Sequence, residues 1–565
     1  MGELLRGEHA FGAILRPVFS RTFVSGAFCV MNTSKGALID SARADLAARR
    51  FEPAHRSALA VLQQYGADAE AFFVLAMIAL EHDNAGKAAE ILDRAIALEP
   101  EDARLHAHRA RCLLIINRQD LAWSAVREAA KCGPRDALTF DTIGVVLTRL
   151  GAHAEAVELF ETAVAQNPGD ANFYYNLGAS RQFSGDFDGA AEAYRQATAI
   201  NPDLFKASSA LVSLGRKHVD AALEKTLEAS IAKSASSESD LHLGHALARI
   251  CEDRKDFVAA MQWLQRAKHR KCEETRHDAR EDSRVFAAAA NMPTPLPVRG
   301  EGSDRPIFVV GMPRTGTTLV DRILGAHSDV EMAGELSNFS IQLKRLARTP
   351  GGFVMDAPTL EAGWNVDFQA LGQAYEQSTD NLVGTARRFT DKMPLNFMFA
   401  GHIHAALPNA RIVCLRRHPL DTCLSNYRQL FATSFSYYNY AYALEHTARY
   451  FLEFDRLMTF WREHLPADRF MEIGYEDIIA DQEGETRRLL DHCGLGWEEA
   501  CLDFHQQDAA VATASSVQVR QPLYSSSIGR WKHYRDALEP MISVLEAGGV
   551  IDADGEWLRP VWKQV

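Results

Sequence analysis

The sequence predicts two architectures in series: an all-α array of helical repeats, then an α/β domain with a parallel sheet and a P-loop-like phosphate loop. Three observations predict this. Proline recurs every 34 residues through the first half, at Pro100, Pro134, Pro168 and Pro202. Pro293, Pro295, Pro297, Gly300 and Gly302 then cluster in the manner of a linker. Beyond them an apolar run, Ile307-Phe308-Val309-Val310, leads straight into a glycine-containing loop and an apolar helical stretch at 319–324.

Composition bounds the classes. At 565 residues the chain is too long for one ordinary core, so two or more domains are expected. Hydrophobic residues at 47% and charged residues at 24% are those of a globular protein. A formal net charge of -13 argues against general nucleic-acid binding, while leaving room for a local basic pocket. The nine cysteines are scattered from Cys29 to Cys501, with no Cys-x-x-Cys pair. Neither a disulfide framework nor a metal site is expected, and a reducing compartment, the cytoplasm, fits. No apolar run is long enough to span a membrane. Arg6, Arg16 and Arg21 interrupt the first thirty residues, which lack the apolar block and cleavage site of a signal peptide. Residues 1–40 read as a tail, disordered or upstream of a start at Met31.

The proline step is shared by small residues. Ala76, Ala110, Gly144 and Gly178 form one series, Ala88, Ala122, Ala156 and Ala190 a second, and Ala95, Ala129, Ala163 and Ala197 a third. A period of 34 is that of the tetratricopeptide repeat, a helix-turn-helix unit. The small residues let paired helices approach, and Phe140 with Phe160, or Tyr174 with Tyr194, are expected to fill the space between. Proline follows the second helix because it cannot continue one. Ala248, Ala260 and Ala267 extend the series into a further repeat near 240–267, after a looser stretch at 211–237. Such units bury their faces only by stacking. Residues 41–290 are therefore read as a solenoid, 291–304 as a linker and 305–565 as the α/β domain. A surface for a peptide or partner protein, and a scaffold that packs on the second half or mediates self-association, are equally supported.

Two more buried strands are predicted: Arg411-Ile412-Val413-Cys414-Leu415, ending in Arg416-Arg417-His418-Pro419, and Phe470-Met471-Glu472-Ile473, leading to Tyr475. Ligands bind at the carboxyl ends of strands in such sheets. The loop Gly311-Met312-Pro313-Arg314-Thr315-Gly316-Thr317-Thr318 has the glycine spacing of a Walker A loop, whose backbone N–H groups cradle phosphate. Thr317 stands where that loop has lysine, and Arg314 brings positive charge earlier. An ATP-dependent kinase wants the lysine and is the weaker reading. A non-catalytic repeat adaptor with a vestigial nucleotide fold is the other rival.

The loop 313–318 and the motif Leu415-Arg416-Arg417-His418-Pro419, with Ser425 on the following helix, resemble the sulfotransferase superfamily. The whole chain resembles the bacterial tetratricopeptide-repeat sulfotransferases, and its second half the tyrosylprotein sulfotransferases, over roughly 305–531. The resemblance implies 3′-phosphoadenosine-5′-phosphosulfate as donor, no metal, and an acceptor hydroxyl, with a protein tyrosine held by the repeats among the candidates. It implies that Arg314, Thr315, Gly316, Thr317 and Thr318 hold the 5′ side of the donor. Arg417 and Ser425 match the pair that grips the 3′-phosphate. Glu335 matches the general base, with His327 as rival and Glu331 behind it. Lys392 matches the lysine near the leaving oxygen, where Arg314 also acts, and Asp391 reads as a structural partner for a cation. Tyr475, Arg530 and a serine, Ser515 in preference to Ser516, match further donor contacts. Read without the resemblance, Glu335 and Lys392 are surface charges, Arg416 and Arg417 a solvated basic pair, and 515–531 a polar loop.

Overall fold

Each 34-residue period folds as two helices because the sequence both starts and separates them. The first helices of four periods are Ala69–Glu81, Ala103–Ile115, Ala137–Arg149 and Ala171–Ser184. Each begins behind an aspartate, Asp68, Asp102, Asp136 or Asp170, whose side chain accepts a backbone N–H of the first turn. Such a cap contributes about 1 kcal/mol. The second helices are Ala85–Leu98, Gln119–Lys131, His153–Gln166 and Phe187–Ile200, and their two alanine series are fully buried. A Cβ on Gly144 would stand 2.7 Å from the Phe160 ring, and one on Gly178 2.7 Å from the Tyr194 ring. Glycine there makes room for the ring of the second helix. The aromatic neighbour of Tyr194 is Tyr175, with centroids 5.9 Å apart.

The structure is a computed structural model that describes residues 34–297, 302–433, 435–507, 523 and 525–558. The tail expected at 1–40 lies mostly outside the described residues, and the first described helix is Lys35–Ala47. Packing divides the chain into two units, Met1–Pro100 and Glu101–Val565. In the first, Ile39, Ala42, Ala54, Val61, Val74 and Ile78 form a core of their own.

In the second unit the repeats continue through Phe205–Ser213 and Ala221–Lys233 to the helix pair Ser237–Asp253 and Phe257–Thr275, followed by Ala279–Ala290. The α/β part is a five-stranded, wholly parallel sheet of β1 (Pro306–Gly311), β2 (Val330–Met332), β3 (Arg388–Asp391), β4 (Arg411–Arg416) and β5 (Phe470–Gly474). Their order is β2-β3-β1-β4-β5, with Val309 opposite Val413 and Phe308 opposite Asp391. Successive side chains of a strand face opposite ways. Ile307 and Val309 accordingly enter one core with Leu319, Val320 and Ile323. Phe308 and Val310 enter another that includes Met261, Leu264 and Phe286 from the helices before the sheet. The last repeat helices thus share a core with the sheet. The strands β2 and β3 escaped the sequence reading. Among the described residues no helix is long and apolar enough to cross a membrane.

Candidate active site

The central strand β1 ends in the loop. Gly311 and Gly316 have φ of 148° and 110°, and a Cβ on Gly316 would lie 2.7 Å from the Tyr475 ring. Only glycine allows that backbone and that approach. The Thr315 hydroxyl turns inward and donates to Met312 O at 2.8 Å. Asn426 Nδ2 donates to Pro313 O at 2.7 Å, and Tyr440 holds Asn426 in turn. The helix Thr317–Gly325 starts at Gly316 with no side-chain cap. Its first N–H groups and its dipole suit an anion.

At the end of β4 the adjacent arginines part. Arg416 is buried and ion-paired with Asp455 and Glu472, so it is structural rather than solvated. Arg417 faces the loop. Its guanidinium donates to Arg314 O at 3.1 Å and Ser527 O at 2.5 Å, and lies 4.9 Å from the Tyr475 ring centre. Tyr475 and Ser527 hydroxyls are 2.7 Å apart. Asp421, on the helix Pro419–Tyr427 that carries Ser425, accepts from Gly529 N at 2.7 Å and Trp531 N at 3.0 Å. These contacts attach the 525–531 segment to β4 and its helix.

The second constellation lies between β2 and β3. Lys392 Nζ donates to Glu335 Oε1 at 2.5 Å, with side chains 1% and 42% exposed respectively. The bonds Ala333 N to Thr390 O and Lys392 N to Gly334 O, at 3.0 and 2.9 Å, continue the β2–β3 pairing and set the two side chains together. Asp391 corrects the expectation of a cation partner. Its carboxyl accepts from Tyr375 OH at 2.9 Å, Asn396 Nδ2 at 3.4 Å, and the backbone N–H groups of Leu336 and Met393. Burial nonetheless pushes it up to about 8, against those donors. Asp391 therefore anchors the residues next to Glu335 and Lys392. On the loop helix, Asp321 accepts from Thr390 Oγ1 at 2.5 Å, and burial raises its carboxyl while the Lys392 charge opposes this.

A cavity of about 950 Å³ brings these elements to one space. Arg314, Gly316, Thr317 and Thr318 line it from the loop, and Arg417 and Ser425 from β4 and its helix. Glu335, Tyr475 and Arg530 complete the predicted residues on its wall. Thr315 and Lys392 are not on that wall; one is turned inward and the other buried behind Glu335. Ser515 and Ser516 lie outside the described residues. His327 is committed elsewhere: its Nδ1 accepts from Asp329 N at 3.1 Å and its Nε2 donates to Gly496 O at 3.0 Å. Glu331 is exposed and away from the cavity wall.

The repeats also line the cavity, with Tyr175, Lys206, His242, Arg249 and Glu252, which the sequence reading missed. Lys206, Arg249, Arg314, Arg417, Arg428 and Arg530 face Glu252, Glu335 and Asp421. A chain of net charge -13 thus encloses a cationic cavity suited to an anionic ligand. Asp421 and Asn426 were also missed as loop holders. Their place beside the Arg417/Ser425 motif was the available signal.

Fold and site together define an α/β domain with a phosphate-type loop at the head of its central strand, walled by helical repeats. Residues 306–499 match the sulfotransferase family, and residues 79–137 and 147–214 match tetratricopeptide repeats. The chain joins tetratricopeptide repeats to a sulfotransferase-family domain. It is 31% identical over 407 residues to an uncharacterized protein of Aquifex aeolicus (strain VF5), covering 70% of this chain and 53% of the relative. It is 25% identical over 262 residues to a protein-tyrosine sulfotransferase of Drosophila melanogaster, covering 42% of this chain and 51% of that one. Protein-tyrosine sulfotransferase A of Caenorhabditis elegans is 22% identical over 257 residues, covering 40% and 60%. The chain spans about half the length of the first two relatives.

Proposed function

We propose that the cavity binds 3′-phosphoadenosine-5′-phosphosulfate and transfers its sulfuryl group to an acceptor hydroxyl. The observation that carries this reading is the meeting, on one cationic cavity, of a loop without the Walker lysine, the Arg417/Ser425 pair and the carboxylate of Glu335. In this reading the loop N–H groups, the hydroxyls of Thr317 and Thr318, and Arg314 hold the 5′-phosphosulfate. Arg417 and Ser425 hold the 3′-phosphate, with Tyr475 and Arg530 beside them. A planar guanidinium and a hydroxyl suit a phosphate dianion.

Glu335 takes the acceptor proton as the acceptor oxygen attacks sulfur. The bond from sulfur to the bridging phosphate oxygen breaks, and adenosine 3′,5′-bisphosphate leaves. Arg314, on the cavity wall, stabilises the charge that develops on the leaving oxygen, and the buried Lys392 adds its positive charge from behind Glu335. Lys392 also fixes the base through its 2.5 Å contact. No metal has a role in this scheme. A protein tyrosine is the proposed acceptor, supported by the names of the Drosophila and Caenorhabditis relatives and by a cavity wall built from the repeats, a fold class suited to peptides. Residues 41–290 then present the acceptor, and 305–565 perform the transfer. The buried free thiols of Cys112, Cys414, Cys423, Cys493 and Cys501 suit a reducing compartment, and the cytoplasm is the proposed location.

The test is incubation with labelled donor and a cell extract, followed by mass spectrometry of the products. Labelled product that depends on Glu335 supports the reading. Undiminished transfer by Glu335→Ala contradicts the role of Glu335, and absence of donor binding contradicts the whole.

A further inference from the structure

Glu252 lies on Ser237–Asp253, a helix of the repeats, yet its carboxylate is held entirely by the other half of the protein. Oε1 and Oε2 accept from Nε and Nη2 of Arg428. Oε1 also accepts from Tyr534 OH at 2.5 Å, and Oε2 from Arg530 Nη2 at 3.3 Å. The Glu252 side chain is 4% exposed. One negative charge thus sits among two guanidiniums and leaves a net positive charge on the cavity wall, which Glu252, Arg428, Arg530 and Ser425 all line.

The junction is packed as well as ion-paired. The Phe257 ring, on the next repeat helix, stacks on His533 with centroids 4.5 Å apart and meets Tyr534 edge-on at 5.3 Å. Arg530 is therefore held twice. Asp421 binds the backbone N–H groups of the residues on both sides of it, and Glu252 binds its side chain. Arg417 and Arg530 both line the cavity, and guanidiniums there suit the oxygens of a phosphate.

We propose that Glu252 is a positioning residue for the donor nucleotide: it holds Arg428 and Arg530 on the wall beside Ser425, so that the repeats form part of the 3′-phosphate site. This rests on the reading of the cavity as the donor site. Without the carboxylate, the two guanidiniums repel each other at close range in a poorly solvated place, and Arg530 loses its side-chain anchor. The repeat array is then a structural half of the nucleotide site rather than a separate recognition module.

The test is calorimetry on the full-length protein with two probes, adenosine 3′,5′-bisphosphate and adenosine 5′-monophosphate. The ratio of their affinities isolates the contribution of the 3′-phosphate. Glu252→Gln is expected to reduce that ratio about tenfold or more, the scale of a charge-assisted hydrogen bond, with 5′-monophosphate binding little changed. In the Glu252→Gln/Arg530→Gln pair the two effects are expected not to add, because Glu252 acts through Arg530. Glu252→Asp, which keeps the charge, is expected to fall between wild type and Glu252→Gln, and it decides the matter if the glutamine variant does not fold. An unchanged ratio, or equal weakening of both probes, overturns the proposal while leaving the donor reading intact. A wild-type protein that binds both probes equally overturns the donor reading itself.

Discussion

Lys392 Nζ stands 2.5 Å from Glu335 Oε1, the lysine 1% and the carboxylate 42% exposed. A buried cation holds an open carboxylate at the edge of the cavity, the arrangement needed by a base that must reach an incoming hydroxyl. Glu335→Gln is expected to lower kcat by roughly 10²- to 10⁴-fold, the usual contribution of general base catalysis. Nucleotide affinity should stay within about twofold, since the partner of the Glu335 carboxylate is Lys392 and not the Arg417/Ser425 pair proposed to hold the nucleotide. Steady-state kinetics beside a binding titration separates the two effects.

Arg417 spans Arg314 O, Ser527 O and the Tyr475 ring. Lysine can replace its charge but neither its two-pronged reach nor its stacking. Arg417→Lys is expected to weaken nucleotide binding by about 2 kcal/mol, close to thirtyfold, and Arg417→Ala by more. Calorimetry on the two variants checks this. Equal affinity in Arg417→Lys and wild type contradicts the assignment.

Burial alone would raise the Glu252 carboxyl, but the charge and hydrogen bonds of Arg428, with Arg530 and Tyr534, overcome it and hold Glu252 down at about 2, from 4.5. A depressed acid stabilises the fold above its unfolded value and loses that contribution as pH falls toward its folded value. The difference corresponds to about 3 kcal/mol, present above roughly pH 5 and lost between there and pH 2. Urea unfolding of wild type and Glu252→Gln across pH 3 to 7 is the check. The gap between the two should be constant from pH 7 to about pH 5 and shrink as the solution is acidified further.

In the repeats, Gly178 gives way to the Tyr194 ring and Gly144 to the Phe160 ring, each leaving 2.7 Å for a Cβ that needs more. Gly178→Ala is expected to destabilise the protein by about 1–3 kcal/mol despite the better helix propensity of alanine, because overpacking outweighs it. Gly144→Ala should behave alike. Thermal unfolding measures both, and a rise in Tm would contradict the packing described.

Much of this was legible in the sequence, for physical reasons that differ by region. The repeats were readable because one packing requirement recurs at a fixed step, and the capping aspartates at 68, 102, 136 and 170 repeat it once more. The strands β1, β4 and β5 were readable as apolar runs. The β2 strand has three residues and β3 reads Arg-Phe-Thr-Asp, too short and too polar to stand out. Arg416 and Arg417 looked alike, yet alternation at the strand end sends one into a buried ion cluster and the other to the loop. Glu252 and Arg428 are 176 positions apart and meet only through the tertiary packing of the repeats on the sheet. No local pattern marks such a pair.

The proposed nucleotide site reads a 3′-phosphate without a Walker lysine. Calorimetric titration of the full-length protein, first with adenosine 3′,5′-bisphosphate and then with ATP and magnesium, tests it most directly. Magnesium-independent binding of the bisphosphate, abolished in Arg417→Ala, and at least tenfold weaker binding of ATP are expected. Magnesium-dependent binding of ATP in preference to the bisphosphate would rule this site out.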